Sequence, residues 1–287
     1  MQMRTDLAME AATKRGSLSP EDVALTKQTI DGIHFTRMRI LSDRGVRLLQ
    51  KPRGQYVTAE LPPLTDTVHE LLPWAYLLGR EIAALLPPTG SILVWGLGNA
   101  RLTADALGPC TARRVVATRH LQGKPAKAAD LEDLRSTAVL SPGVCGETGV
   151  DSVEFIRGIC QSLHPAAVIA VDALAAQSER HLGRTVQLTD SGIAPGSGVG
   201  NHRAAISEAE LGVPVIALGV PTVIDARTLI ADLTGVELSA HTMPRPLMVT
   251  PQEIDLLVDR AARLLAMSIH AALHPRYSPA DLLQVTE

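Results

Sequence analysis

The feature that most constrains this chain is a series of short, continuously apolar segments beginning at Ser91. SILVW (Ser91–Trp95), TAVLS (Thr137–Ser141), AAVIAVD (Ala166–Asp172), TVQLTD (Thr185–Asp190) and VPVIALGV (Val213–Val220) are each of strand length, and helical patterns separate them. Segments apolar at consecutive rather than alternate positions suit strands covered on both faces. The pattern predicts a single three-layer α/β/α domain around a mostly parallel or mixed sheet. Helices are expected over Ala104–Thr118, Val150–Leu163 and Ile224–Leu233.

The flanks add to this layout. Ile33–Leu41 and Gly54–Leu61 alternate apolar and polar residues between Gly and Pro signals, which predicts an additional N-terminal β-hairpin. Thr67–Leu86 reads as mostly helical, with Pro73 marking a boundary or kink. Near the C-terminus, Thr250 as cap, Pro251 at the first helical position and Glu253 predict a helix start. Ile254, Leu257, Val258, Ala261, Leu264, Leu265 and Ile269 form its buried stripe.

Composition excludes several classes of function. Lys and Arg number 27 against 30 Asp and Glu, a formal net charge of -3, and the pI is near 6.3. Nucleic-acid binders show a basic patch instead, so no direct nucleic-acid partner is expected. The three cysteines, Cys110, Cys145 and Cys160, fit neither a disulfide framework nor a zinc site, which suits a reducing compartment. The N-terminus carries charge from Arg4 onward and lacks the apolar core of a secretory signal. The apolar run Val213–Ile224 is broken by Pro221 and is shorter than the roughly 18 residues that cross a bilayer. A cytoplasmic protein without a membrane span is expected.

Two aspartates stand where chemistry is expected. In VWGLGNARLTADALGP (Val94–Pro109), a strand leads into a Gly-Leu-Gly-Asn turn and then to Asp105. Open α/β sheets bind ligands beyond the carboxyl ends of their strands, and glycines let the backbone turn tightly there. In AAVIAVDALAA (Ala166–Ala176), an apolar strand is expected to deliver Asp172 at its carboxyl end, with helix following. Each aspartate alone is better explained as a helix cap. If strand order makes them neighbours at one sheet edge, they form a carboxyl pair that shares a proton, one acting as base toward water and the other as acid. Such a pair hydrolyses peptides by an aspartic-type mechanism.

Other motifs fit less well. The third glycine of a dinucleotide fingerprint is replaced by Arg101, and Asn201 and His202 stand where a phosphate loop needs Lys and Ser or Thr. The glycine-rich loops Ser141–Gly149 and Thr189–Arg203 can still wall a peptide cleft. Ser197 lacks the flanking glycines of a nucleophile elbow, Cys145 has no local motif, and Pro73 interrupts the zincin-like string begun by His69 and Glu70.

The sequence resembles the germination protease family, endopeptidases of spore-forming bacteria. The resemblance is carried by RTDLAMEA (Arg4–Ala11), GLGNARLTADALGP (Gly96–Pro109), TRHL, SPGVCGETG, VIAVDALAA, SGIAPGSGVGNHR, ALGVPTVIDA (Ala217–Ala226), VTPQEID and ALHP. These segments run from one end of the chain to the other.

The resemblance implies a fold akin to hydrogenase-maturation endopeptidases, a homotetramer, and an atypical aspartic mechanism that requires no cofactor or metal. It puts the catalytic roles on Asp105 and Asp172, although Ala104 stands where the family pattern has proline. It further implies a self-processing zymogen located in the forespore or spore core. The substrates are small acid-soluble spore proteins, cut after Glu in a segment resembling T-E-F-A-S-E. TDLAMEA copies that site, so cleavage is expected between Asp6 and Leu7, making residues 1–6 a propeptide and 7–287 the peptidase domain. An acidic residue before the cut bond calls for a cationic pocket, with Arg101 and Arg203 as candidates. The competing reading is a metal-dependent maturation endopeptidase in which both aspartates and a histidine bind metal.

Overall fold

Each of the apolar runs forms a strand, and all of them join one sheet. The computed structural model describes residues 5–13, 19–66, 70–121, 133–194, 204–236, 243, 245 and 247–287. Among the described residues the strands are β1 (Val23–Ile30), β2 (Ile33–Ile40), β3 (Gly54–Glu60), β4 (Ile92–Gly96), β5 (Thr137–Leu140), β6 (Ala167–Ala176), β7 (Thr185–Thr189), β8 (Val215–Asp225) and β9 (Met248–Val249). Their order is β1-β2-β3-β7-β8-β6-β4-β5, with β9 paired to β8.

The sheet has two halves. β5, β4, β6 and β8 run parallel. From β8 outward, β7, β3, β2 and β1 pair antiparallel. Helices cover both faces because the β6 side chains alternate between two apolar clusters. Ala167, Ile169 and Val171 pack under α3 (Leu71–Leu85), α4 (Leu107–Ala112) and α7 (Ile254–Leu273), whereas Val168 and Ala170 pack with Leu93, Trp95 and α5 (Ser152–Leu163). The expected helical layers are therefore present, and the sheet is mixed. No helix among the described residues is long and apolar enough to cross a membrane.

Several boundaries differ from expectation. β6 does not end at Asp172, and helix does not follow it: pairing with β8 holds Ala173–Ala176 extended, overriding the helical preference of alanine. β8 likewise continues to Asp225, whose carboxylate caps α6 (Ala226–Thr234) by accepting from the Arg227 and Thr228 amides. The segment expected to be helical from Ala104 is a 3-10 turn, Thr103–Asp105, followed by the short α4. β9 pairs with β8 as far as Val249, and a turn at Gln252–Glu253 precedes α7, which starts at Ile254 rather than at Pro251.

β1 has no alternating pattern because most of it is exposed, and it joins β2 through Asp31–Gly32, both at positive φ; the expected hairpin strands β2 and β3 pair antiparallel but are connected by α2 (Asp43–Leu49). α3 begins at Leu71, with Pro73 in its first turn, where a missing N–H costs no helical bond. Residues 67–69 of the expected helix lie outside the described residues.

Candidate active site

The surroundings of Asp172 begin where β4 stops. β4 pairs with β6 only as far as Gly96 opposite Val171, and the Leu97 amide then donates to the Val171 carbonyl at 2.8 Å. Asp172 is thus the first β6 residue beyond the end of its neighbour. Its side chain is 6% exposed and accepts from the Ala173 amide at 2.9 Å.

The turn that carries Asp105 is fixed against the same strand end. Gly108 has no room for a side chain, since a Cβ there would lie 2.1 Å from the Leu97 carbonyl oxygen and 2.4 Å from that of Val171. The Asp105 carboxylate accepts from the Asn99 amide at 2.7 Å, and Thr222 on β8 donates to the Ala104 carbonyl at 2.6 Å. Gly98 has φ +110, and a Cβ on it would lie 2.0 Å from the Asp105 carbonyl. Only glycine allows the turn to close so tightly.

Across the sheet, Asp172 on β6 and Gln187 on β7 are both in register with Gly219 on β8. Gly219 contributes no side chain, so a cavity of about 210 Å³ opens above it. Asp172, Leu174, Gln187, Thr189, Tyr56 and Lys51 line this cavity together with Asp6, whereas Asp105 is not among its lining residues. Tyr56 donates to the Pro52 carbonyl at 2.8 Å and accepts from Ser191 at 2.9 Å. Burial pushes its phenol up to about 12, so it stays protonated at neutral pH.

The N-terminal segment threads this cleft. The Asp6 amide donates to the Ala175 carbonyl at 3.0 Å, and the Asp6 carboxylate accepts from the Ala175 amide at 2.8 Å. The Asp6 carbonyl accepts from Gln187 Nε2 at 2.8 Å and from Lys51 Nζ at 3.0 Å. Lys51 also donates to the Thr5 carbonyl at 3.0 Å, and Gln187 Oε1 takes the Ala8 amide at 2.6 Å. The Leu7 side chain is fully buried. After it the chain turns into α1 (Ala8–Thr13). Burial pushes the Lys51 ammonium below its ordinary range, while Asp6 and Glu10 pull it back up.

The other candidates lie elsewhere. Arg101 is an exposed side chain paired with Glu147 at 3.3 Å, and it does not line the cavity. Arg203 and the glycine-rich residues 195–202 lie outside the described residues, as do residues 1–4. Cys145 is exposed, Cys110 is partly buried, and Cys160 on α5 packs into the apolar cluster against the sheet. Among the described residues no three or more His, Cys, Asp or Glu side chains are grouped to hold a metal ion.

The family model described as germination protease matches residues 2–243. The chain belongs to the germination protease family. The germination protease of Caldanaerobacter subterraneus subsp. tengcongensis is 36% identical over 318 aligned residues, covering 99% of this chain and 98% of that protein. The germination protease of Clostridium perfringens strain SM101 is 32% identical over 318 aligned residues, covering 98% of each. That of Oceanobacillus iheyensis is 39% identical over 247 residues, covering 80% of this chain and 66% of its own. Among solved structures, the [NiFe] hydrogenase maturation protease HycI of Thermococcus kodakarensis KOD1 aligns with 66% of this chain and 98% of its own at a TM-score of 0.38 and 18% identity. Membership in the germination protease family rests on the sequence relatives and makes the chain a peptide hydrolase.

Three cleft residues, Lys51, Tyr56 and Gln187, belong to no motif. Gln187 carries one usable signal, a polar side chain at the centre of a five-residue strand buried throughout. Nothing local distinguishes Lys51 from other basic residues, because its role comes from a segment 45 residues away in sequence.

Proposed function

We propose that the chain is an endopeptidase of atypical aspartic type, made as a zymogen, in which Asp105 and Asp172 share the acid–base work. The proposed propeptide is residues 1–6, and the proposed first cut is its own Asp6–Leu7 bond. The observation that carries this reading is the Asp6 carbonyl, held by Gln187 and Lys51 inside the cavity that Asp172 lines.

In the proposed reaction one aspartate, as carboxylate, takes a proton from water while the water oxygen bonds to the Asp6 carbonyl carbon. The carbonyl π electrons move onto oxygen, where the Lys51 and Gln187 N–H groups hold the developing charge. When the tetrahedral centre collapses, the C–N bond breaks, and the other aspartate, as carboxylic acid, gives its proton to the Leu7 nitrogen. Asp6 then ends in a carboxyl group and Leu7 in a free amine. The partial burial of Lys51 and the full burial of the Leu7 side chain support such a step, because donors with less access to water act more strongly on a developing charge.

The proposed substrates in trans are small acid-soluble spore proteins. Thr5–Glu10 matches T-E-F-A-S-E in its threonine, in an acidic residue before the bond, in the alanine and in the final Glu. The proposed setting is the forespore or spore core, and the proposed assembly is a homotetramer, which light scattering on the purified chain tests.

Asp105→Asn and Asp172→Asn test the mechanism. Each is expected to slow both self-processing and peptide cleavage by about a thousandfold with the fold intact by circular dichroism. Activity of either variant within tenfold of the parent contradicts the assignment.

A further inference from the structure

Four residues beyond Asp6, the Glu10 side chain enters a receptor that the reaction above does not use. Glu10 is 6% exposed, yet it sits on a short helix at the surface end of the docked segment. Its Oε2 accepts from the Gln177 amide at 2.8 Å and from Thr5 Oγ1. Its Oε1 accepts from the Ser178 amide at 2.9 Å and from His181 Nδ1 at 2.6 Å. Two consecutive backbone N–H groups and an imidazole therefore converge on one carboxylate.

We infer that the Gln177–Ser178 backbone and His181 form a recognition site for a glutamate side chain four residues after the residue that contributes the cut carbonyl, occupied in the uncut chain by Glu10. The inference rests on the proposed cut between Asp6 and Leu7.

The chemistry selects a carboxylate. A Gln side chain brings one NH₂ group, which cannot accept a bond, against a set that offers a donor to each of the two terminal atoms. The length selects Glu over Asp. Ala175 fixes Asp6 at one end and Gln187 fixes the Ala8 amide in the middle, so a side chain one methylene shorter falls short of the Gln177 and Ser178 amides. The receptor and the Ala175 contacts lie on consecutive stretches of one chain, Ala175 to Ser178. They act as a ruler whose two marks place one peptide bond against Gln187 and Lys51. The hydrogen bond that His181 donates to Glu10 holds the His181 pKa above its ordinary value against the lowering effect of burial, with Glu60 adding to and Arg180 opposing the shift. His181 is therefore a specificity-determining residue rather than a member of the acid–base pair.

The test uses the full chain and, after processing, a synthetic peptide with the sequence of residues 1–13 as substrate. Exchanging Glu for Gln at the position of Glu10 is expected to lower kcat/KM for the peptide by about ten- to hundredfold, the cost of losing charge-assisted bonds. In His181→Gln enzyme that preference is expected to shrink to about threefold, an interaction between the two changes that a merely structural histidine does not produce. NMR titration of His181 in the uncut chain gives a readout independent of activity, with its pKa returning toward 6.5 in Glu10→Gln. Equal kcat/KM for the two peptides with the cut at Asp6–Leu7, or an unchanged His181 titration in Glu10→Gln, overturns the receptor. A cut at another bond, found by mass spectrometry of the products, overturns the proposed processing site instead.

Discussion

The two halves of the sheet contribute different things to the cleft. The parallel half supplies Asp172, just past the end of β4 at Gly96, while Asp105 sits in the turn after β4 and does not line the cavity. The antiparallel half supplies the wall, with Tyr56 on β3, Gln187 on β7, and Lys51 just before β3. Of the proposed acid–base pair, Asp105 closes a turn and Asp172 lies within β6, just past the end of its neighbour β4. Of the two groups that grip the Asp6 carbonyl, Gln187 comes from the middle of β7, where alternation points it into the cavity, and Lys51 from the segment before β3. Gly219 on β8 is the seam, because a side chain there would meet the Asp172 carbonyl at 2.6 Å and fill the floor between the halves.

The largest effect outside the aspartates themselves is expected at the turn that positions one of them. Gly98→Ala places a methyl group against the Asp105 carbonyl at a φ that disfavours alanine, so the turn must shift. A loss of about a hundredfold or more in self-processing is expected, with roughly 1–3 kcal/mol of destabilisation in urea melts. Parent-like processing in this variant breaks the claim that the parallel half positions the chemistry.

A loss of about a hundredfold is also expected from Lys51→Met, and a similar one from Gln187→Leu, if the antiparallel half holds the developing oxyanion. Peptide kinetics separate holding from shaping. A fall in kcat supports the oxyanion role, whereas a rise in KM at constant kcat reduces this half to a binding wall.

How much of this was legible in the sequence follows the same division. Consecutive apolar residues announced β4, β6 and β8, and the G-L-G-N turn announced the site beside them, because a strand buried on both faces writes its environment into composition. The end of β6 was not legible. Ala173–Ala176 reads as helix by propensity and is strand only because β8 extends alongside it. β1 escaped for the opposite reason: its side chains face water, so its composition carries no apolar period, and the Asp31–Gly32 turn was the signal to follow. Lys51 and Gln187 escaped because their role depends on where the N-terminal segment docks, which no local pattern encodes.

A smaller effect is expected far from the cleft, on the helical layer that packs against the sheet. His270 on α7 and His274 at its C-cap are buried and lowered to about 4, chiefly by desolvation, and they accept from the Val116 and Arg135 amides. Their folded pKa values lie below the unfolded value near 6.5, so the folded chain binds fewer protons between those limits. Their stabilisation is therefore complete above about pH 6.5 and is lost as pH falls toward 4, on the order of 3 kcal/mol for each histidine. Urea denaturation at pH 7 and pH 4.5 should show this loss, and H270Q/H274Q should flatten it. An unchanged slope in the double variant removes the histidines as its cause.

The central claim is that the N-terminal segment lies in the cleft as a substrate does, with the Asp6–Leu7 bond presented to the aspartates. The most direct measurement is the N-terminal sequence and intact mass of the chain before and after incubation, beside Asp172→Asn handled identically. The account predicts a new terminus at Leu7 in the parent and an uncut chain in the variant. A terminus at any other residue, or Leu7 appearing equally in Asp172→Asn, contradicts it.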